Sequence, residues 1–276
     1  MNAGRRHDQF RISRFETAAL AFIFGASIGA ASTPAFAQDM LRGVDLTQPA
    51  YSTSEYSREA IVAALKTRKP GAPLDFSGKS LNGLDLSGLD LSYVNFRAAR
   101  LVKARLSGAK LDHAILDQAW LLEADLTGAS LVGAHVFATQ LQRIRADGAD
   151  FSRARIAGDL TGASLRGAKF IEADLSADMK NQSMGLMRAV LATAIAEGAN
   201  FTAADLMSAD LRYLHAAGAD FSGARLQGAD AAGADFTGAS WDGAKAEGLD
   251  LDSAQLDASA KDALKGAKDI DRARFK

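Results

Sequence analysis

The stretch Ala124-Asp125-Leu126-Thr127-Gly128-Ala129-Ser130-Leu131 carries the deciding pattern. A bulky apolar centre, Leu126 and then Leu131, recurs after five residues; an alanine stands two before each centre and a polar residue just before it. Outward from this stretch the same unit runs in steps of five from Phe76 to Ile156. A step of four to Leu160 shifts the register by one, and Leu165, Phe170 and Leu175 continue it. After a gap of eleven, the spacing places a last run from Leu186 and Leu191 to Leu256. An amphipathic helix needs spacings of three and four and a simple strand needs two, so a period of five held this long excludes both.

These Ala-polar-Leu-Ser/Thr-Gly units closely resemble the pentapeptide-repeat family over about two thirds of the chain. The resemblance implies an all-β fold, a right-handed quadrilateral β-helix with four units per coil. It also implies that the centre and the small residue two before it point inward. The four-sided closure comes from the family; spacing alone does not establish it. Composition fits such a tube, because a short side has room for one large inward residue and one small one beside it. With strand spacing of about 4.8 Å between coils, the span from Phe76 to Leu256 is about nine coils and about 43 Å. Coils stacked this closely pair their backbone groups with the coils above and below.

The segment before the array divides in two. Residues 1–37 have Arg5, Arg6, Arg11 and Arg14, then an apolar or small run from Ala18 to Ala31, then Ala35-Phe36-Ala37. That order is a secretory signal, and its apolar run is short for a bilayer span. The expectation is therefore an exported protein, periplasmic or secreted, with no stable membrane insertion after cleavage. Four basic and two acidic residues leave with the signal, so 28 basic residues face 31 acidic ones and the mature charge is −3. Such a balance gives no basic field for nucleic acid. Residues 38–73 read as a lead-in whose helix, about 53–67, starts at a Ser52/Glu55 capping box and covers the first open coil. The array occupies 74–256, with a loop near 177–185 that includes Met179 and Met184 and is followed by Met187. Residues 257–276 read as a helical cap closed by Gly266, with Ala273-Arg274-Phe275 either rejoining the array or meeting a second copy. The family has members that dimerise end to end, so a homodimer through a terminal cap is open.

No chemistry is written into the repeat. His113, His135 and His215 fall apart from one another, the aspartates recur because the repeat wants a polar residue there, and no phosphate loop or nucleophile elbow is present. The chain has no cysteine. The reading is of no enzyme, no catalytic residue, no metal and no cofactor. Residues twenty apart should stack, giving outward ladders such as Asp85, Arg105, Asp125, Arg145 and Asp90, Lys110, Ser130, Asp150, Lys169. One side breaks this habit: Arg100 and Val102, then Trp120 and Leu122, with Ile115 and Phe137 on the neighbouring side. Those six residues are the candidate partner-binding patch, with Arg100 stacked on Trp120. The competing expectation is that the N-terminal segment folds over them. Trp120→Ala separates the two, since a partner face predicts an intact fold and a covered face predicts a lower melting temperature.

The function expected is a non-catalytic exported scaffold that binds an unidentified protein in the cell envelope. The alternative comes from the resemblance: quinolone-resistance pentapeptide proteins mimic a DNA duplex and bind gyrase. Mixed-sign ladders and an export signal weigh against it.

Overall fold

A computed structural model describes residues 45–69, 73–178 and 187–276. The signal sequence read in residues 1–37, together with Met179, Met184 and Leu186, lies outside the described residues. Helix α1 is Pro49–Ser52 and α2 is Arg58–Thr67; β1 His135–Gln140, β2 Arg155–Asp159, β3 Gln255–Leu256, α3 Ala260–Ala263 and β4 Arg274–Phe275 follow. Between them the chain winds as a β-helix whose sides are short parallel bridges.

Each side repeats one local plan. The Leu126 carbonyl accepts from the Ala129 N–H at 2.9 Å, closing a turn whose third residue, Gly128, has φ +63°. Glycine takes that conformation without steric cost. On the straight part, Leu126 N–H donates to Arg145 O at 2.6 Å and Asp125 N–H donates to Ala104 O at 2.9 Å. One coil thus pairs with both neighbours, which answers the backbone's need for partners in a tube filled with hydrocarbon. Leu126 and Ala124 are fully buried, as are their equivalents through the middle of the array, whereas Lys79 in the first coil is exposed and Leu84, Leu89, Ala239 and Ala244 towards the ends are partly buried.

Four columns of bridges result. The first runs through Asp75, Asn95, Ile115, His135, Arg155, Asp174 and Asp205, and the second through Ser80, Arg100, Trp120, Gln140, Asp159, Val190 and Asp210. The third holds Asp85, Arg105, Asp125, Arg145 and Ser164; the fourth holds Asp90, Lys110, Ser130, Asp150, Lys169 and Asn200. Opposite charges in the third column pair, Arg105 with Asp85 at 3.0 Å and Arg145 with Asp125 at 2.6 Å. The Asp85 carboxyl is held well below the usual carboxylate range, first by the Ser87 hydroxyl and backbone N–H and then by Arg105. Inside the fourth column, Phe151, Phe170, Phe201, Phe221 and Trp241 stack ring on ring at 5.0, 4.8, 4.9 and 4.7 Å.

The four-residue step is absorbed by a bulge. Phe137 pairs with Ala157 and Gln140 with Asp159, so Ala138 and Thr139 together face Gly158. A Cβ on Gly158 would stand 2.8 Å from the Thr139 carbonyl oxygen. Gly158→Ala is therefore expected to cost about 1–3 kcal/mol, read as a lower urea midpoint. An unchanged midpoint would mean that the bulge relaxes freely.

The ladders place the chain that follows Leu175. Asp159 bridges Val190 and Asp174 bridges Asp205, so the next described side after Leu175 is the one centred on Leu191. The whole excursion is inserted between two successive sides, closed at its base where Asp178 N–H donates to Met187 O at 2.7 Å.

The N-terminal helix also differs from expectation. It begins at Arg58, with Ser57 as cap accepting from Ala60 N–H at 3.2 Å, rather than at a Ser52/Glu55 box. Residues before it lie instead against the first coil, Ser54 bridging Leu81 in antiparallel sense and Glu55 N–H donating to Ser80 O at 2.8 Å. The physical reason is the open ladder, whose first-coil carbonyls would otherwise face no coil. The helix completes the cover: Ile61 is buried in the core, Arg58 donates to Asp85 O at 2.8 Å and Ser87 O at 3.0 Å, and Arg68 donates to Ser92 O at 2.8 Å. Arg58→Ala should cost about 2 kcal/mol, since it strips charged donors from two carbonyls; hydrogen exchange of the first coil should rise first. At the far end the helical cap is only α3, shorter than the span 257–266. The chain then returns, with Lys268 bridging Asp250 and β4 pairing in parallel with β3.

Candidate interaction face

The second column carries residues that do not suit an outer wall. Asn82, Val102, Leu122 and Gln142 point outward by register, yet they are 2%, 0%, 1% and 5% exposed. Over this side lie residues 45–53. Tyr51 stacks on Trp120 with ring centroids 5.9 Å apart and planes at 12°, and Leu46 is buried. Asn82 Nδ2 donates to Ala50 O at 3.2 Å, and Ser80 Oγ donates to Thr53 O at 2.6 Å. The Asp45 carboxyl that begins this strap is lowered by the Thr47 hydroxyl and N–H.

Of the six candidate residues, the structure brings Arg100, Val102, Trp120 and Leu122 together on this side. Ile115 and Phe137 stand half-buried on the first column. The expected stacking of Arg100 on Trp120 is corrected: Tyr51 occupies the ring, and the Arg100 guanidinium reaches toward Glu55, Nη2 to Oε1 at 3.8 Å. On this column two buried side-chain atoms have no hydrogen-bond partner, Arg100 Nε and Gln142 Oε1. Gln142 spends its amide nitrogen on Gln140 and Asp159, at 2.9 and 2.7 Å, and so leaves its oxygen unmatched. The sequence marks Trp120 as out of place; it carries no signal that Tyr51 is the residue covering it.

Phe137 belongs to a different feature. Together with Asp117, His135, Val136, Arg155 and Asp178 it lines a cavity of about 250 Å³ on the first column. The Arg155 guanidinium lies 5.9 Å from the Phe137 ring centroid and 3.8 and 3.7 Å from Asp174 and Asp178. Asp117 is already engaged, accepting from Arg97 at 3.1 Å and from Phe137 N–H at 3.2 Å.

A third cluster was not legible in advance. Asp210 is fully buried and accepts from Arg212 Nη2 at 2.6 Å and Nε at 2.8 Å, with Arg188 Nη2 at 3.4 Å. Those bonds from Asp210 raise the Arg212 guanidinium further above its ordinary value. Arg188 follows the inserted loop, so its proximity depends on where that loop rejoins the tube. Among the described residues no group of three His, Asp or Glu could hold a metal ion, and no helix is long and apolar enough to cross a membrane.

The profile of the Pentapeptide repeats family matches residues 75–108, 104–136, 137–177, 186–223 and 219–257. Among solved structures the chain is similar to full-length QnrB1, a plasmid-mediated fluoroquinolone resistance protein. That match has 18% identity and a TM-score of 0.53, over 71% of this chain and 91% of the other. It is also matched to HetL, a pentapeptide repeat protein involved in heterocyst differentiation regulation in the cyanobacterium Nostoc, at 24% identity and a TM-score of 0.23 over 71% and 97% of the two chains. No curated protein matches.

Proposed function

Because the chain belongs to the pentapeptide-repeat family, whose members fold as right-handed β-helices, we propose that it is a non-catalytic, exported solenoid of about nine coils whose outer wall binds another protein. The observation that carries this reading is the apolar run of Val102, Trp120 and Leu122 at outward positions, covered here by residues 45–53 of the chain itself, beside a third column of paired charges. Single apolar residues on a surface need no explanation, whereas a contiguous run at positions meant for polar groups marks a contact. An elongated solenoid offers such contacts over several coils. Export rests on the order of charged, apolar and small residues in 1–37.

A second reading has its own support. Residues 201–257 contain ten acidic and three basic residues, so the later coils are acidic although the whole chain is nearly neutral. That concentration of negative charge favours binding to a surface that otherwise takes up a polyanion, as in the gyrase-directed members of the family.

Expression of the full chain with determination of the mature N-terminus, fractionation and crosslinking in the cell tests both. The first reading expects processing near Ala37 and a crosslinked protein in the envelope. An unprocessed cytoplasmic product that inhibits DNA supercoiling would overturn it in favour of the second.

A further inference from the structure

We propose that residues 45–53 are a displaceable strap, and that the wall beneath them is a docking groove for an extended peptide segment of the partner protein. This deepens the protein-binding reading and rests on it. The strap shows what the groove accepts. An aliphatic side chain, Leu46, and an aromatic one, Tyr51, are its apolar anchors, and the carbonyls of Ala50 and Thr53 receive Asn82 Nδ2 and Ser80 Oγ.

The rest of the strap contributes little. Helix α1 has no buried residue and no side-chain cap, and residues 47–50 are exposed. Two anchoring side chains and the hydrogen bonds to the Ala50 and Thr53 carbonyls therefore hold nine ordered residues, and backbone ordering opposes burial residue by residue. Such a segment opens locally far more readily than the coils do.

The groove asks for more than the strap supplies. Arg100 Nε and Gln142 Oε1 stay buried and unpartnered while the strap is in place. Buried polar atoms of native proteins are almost always matched. A partner segment with the same aliphatic and aromatic pair, plus a carbonyl or carboxylate directed at Arg100 and an N–H directed at Gln142, satisfies both. It thereby gains an advantage over the strap that the strap cannot match.

A labelled synthetic peptide with the sequence of residues 45–57 tests this in trans by fluorescence anisotropy on the purified full chain. The Leu46→Ser/Tyr51→Ser variant should bind it at least about tenfold more tightly than the unmodified chain, whose own strap competes at high effective concentration. Adding Trp120→Ser to that variant should abolish binding. Tyr51→Ser alone, a milder release, should give an intermediate affinity while keeping the cooperative unfolding transition. The proposal is overturned if the peptide binds neither chain, if binding ignores Trp120, or if Tyr51→Ser by itself removes the folded transition. Because the assay uses only the purified chain and its own sequence, a negative result leaves the export and partner experiment standing.

Discussion

Phe201→Ala is expected to lower the free energy of unfolding by about 3–5 kcal/mol. Phe201 is fully buried at the centre of the five-ring stack, 4.8 Å from Phe170 and 4.9 Å from Phe221, with planes within 5° and 1° of parallel. Truncation leaves a cavity that cannot collapse, because the backbone on either side is fixed by ladder bonds such as Phe201 N–H to Asp220 O at 2.7 Å and Asn200 N–H to Ala168 O at 2.9 Å. Two ring contacts disappear as well, each worth about 0.5–1.5 kcal/mol beyond burial. Solenoid stability is close to a sum over neighbouring coils, so the loss falls in the middle of the array. Urea unfolding followed by circular dichroism should show it, and a change below about 1 kcal/mol would contradict the inward placement of this ring.

Asp210→Ala should rank next, at about 3 kcal/mol. The side chain of Asp210 is 0% exposed, while those of Arg212 and Arg188 are 33% and 25% exposed. Removing the carboxylate leaves two guanidinium groups facing each other in a half-buried setting with no counter-charge beyond Asp230, 3.6 Å from Arg212. Partial exposure lets water recover some of that loss, which keeps the figure below that of a fully buried pair. By contrast, Asp125→Ala on the outer ladder should change stability by less than about 1 kcal/mol, because its partner Arg145 is two-thirds exposed. Equal effects at the two sites would show that Asp210 is no more sheltered than any other outward aspartate.

The period of five was enough to read which residues face inward, because a side of two inward positions forces one large and one small residue at fixed spacing. Features that depend on contacts between distant coils were not readable that way. Phe170 and Phe201 are 31 residues apart and Phe151 and Phe170 are 19 apart, so the aromatic stack is hidden by the loop and the bulge that change the coil length. Ser52 and Glu55 have capping-box spacing, but the open first coil recruits Glu55 into an edge contact and the helix starts at Ser57. At the candidate face, Trp120 was visible as an apolar residue in a polar position. Its cover by Tyr51 was not, because aromatic stacking between residues 69 positions apart leaves no local trace.

The chain has no cysteine, so single cysteines introduced across residues 124–131 give the most direct test of the fold. With a water-soluble thiol reagent under native conditions, cysteines at 124, 126, 129 and 131 should be protected, and those at 127 and 128 should react rapidly, following the burial of the side chains they replace. Protection that alternates at every second residue, or follows a spacing of three and four, would contradict a tube wound from five-residue sides.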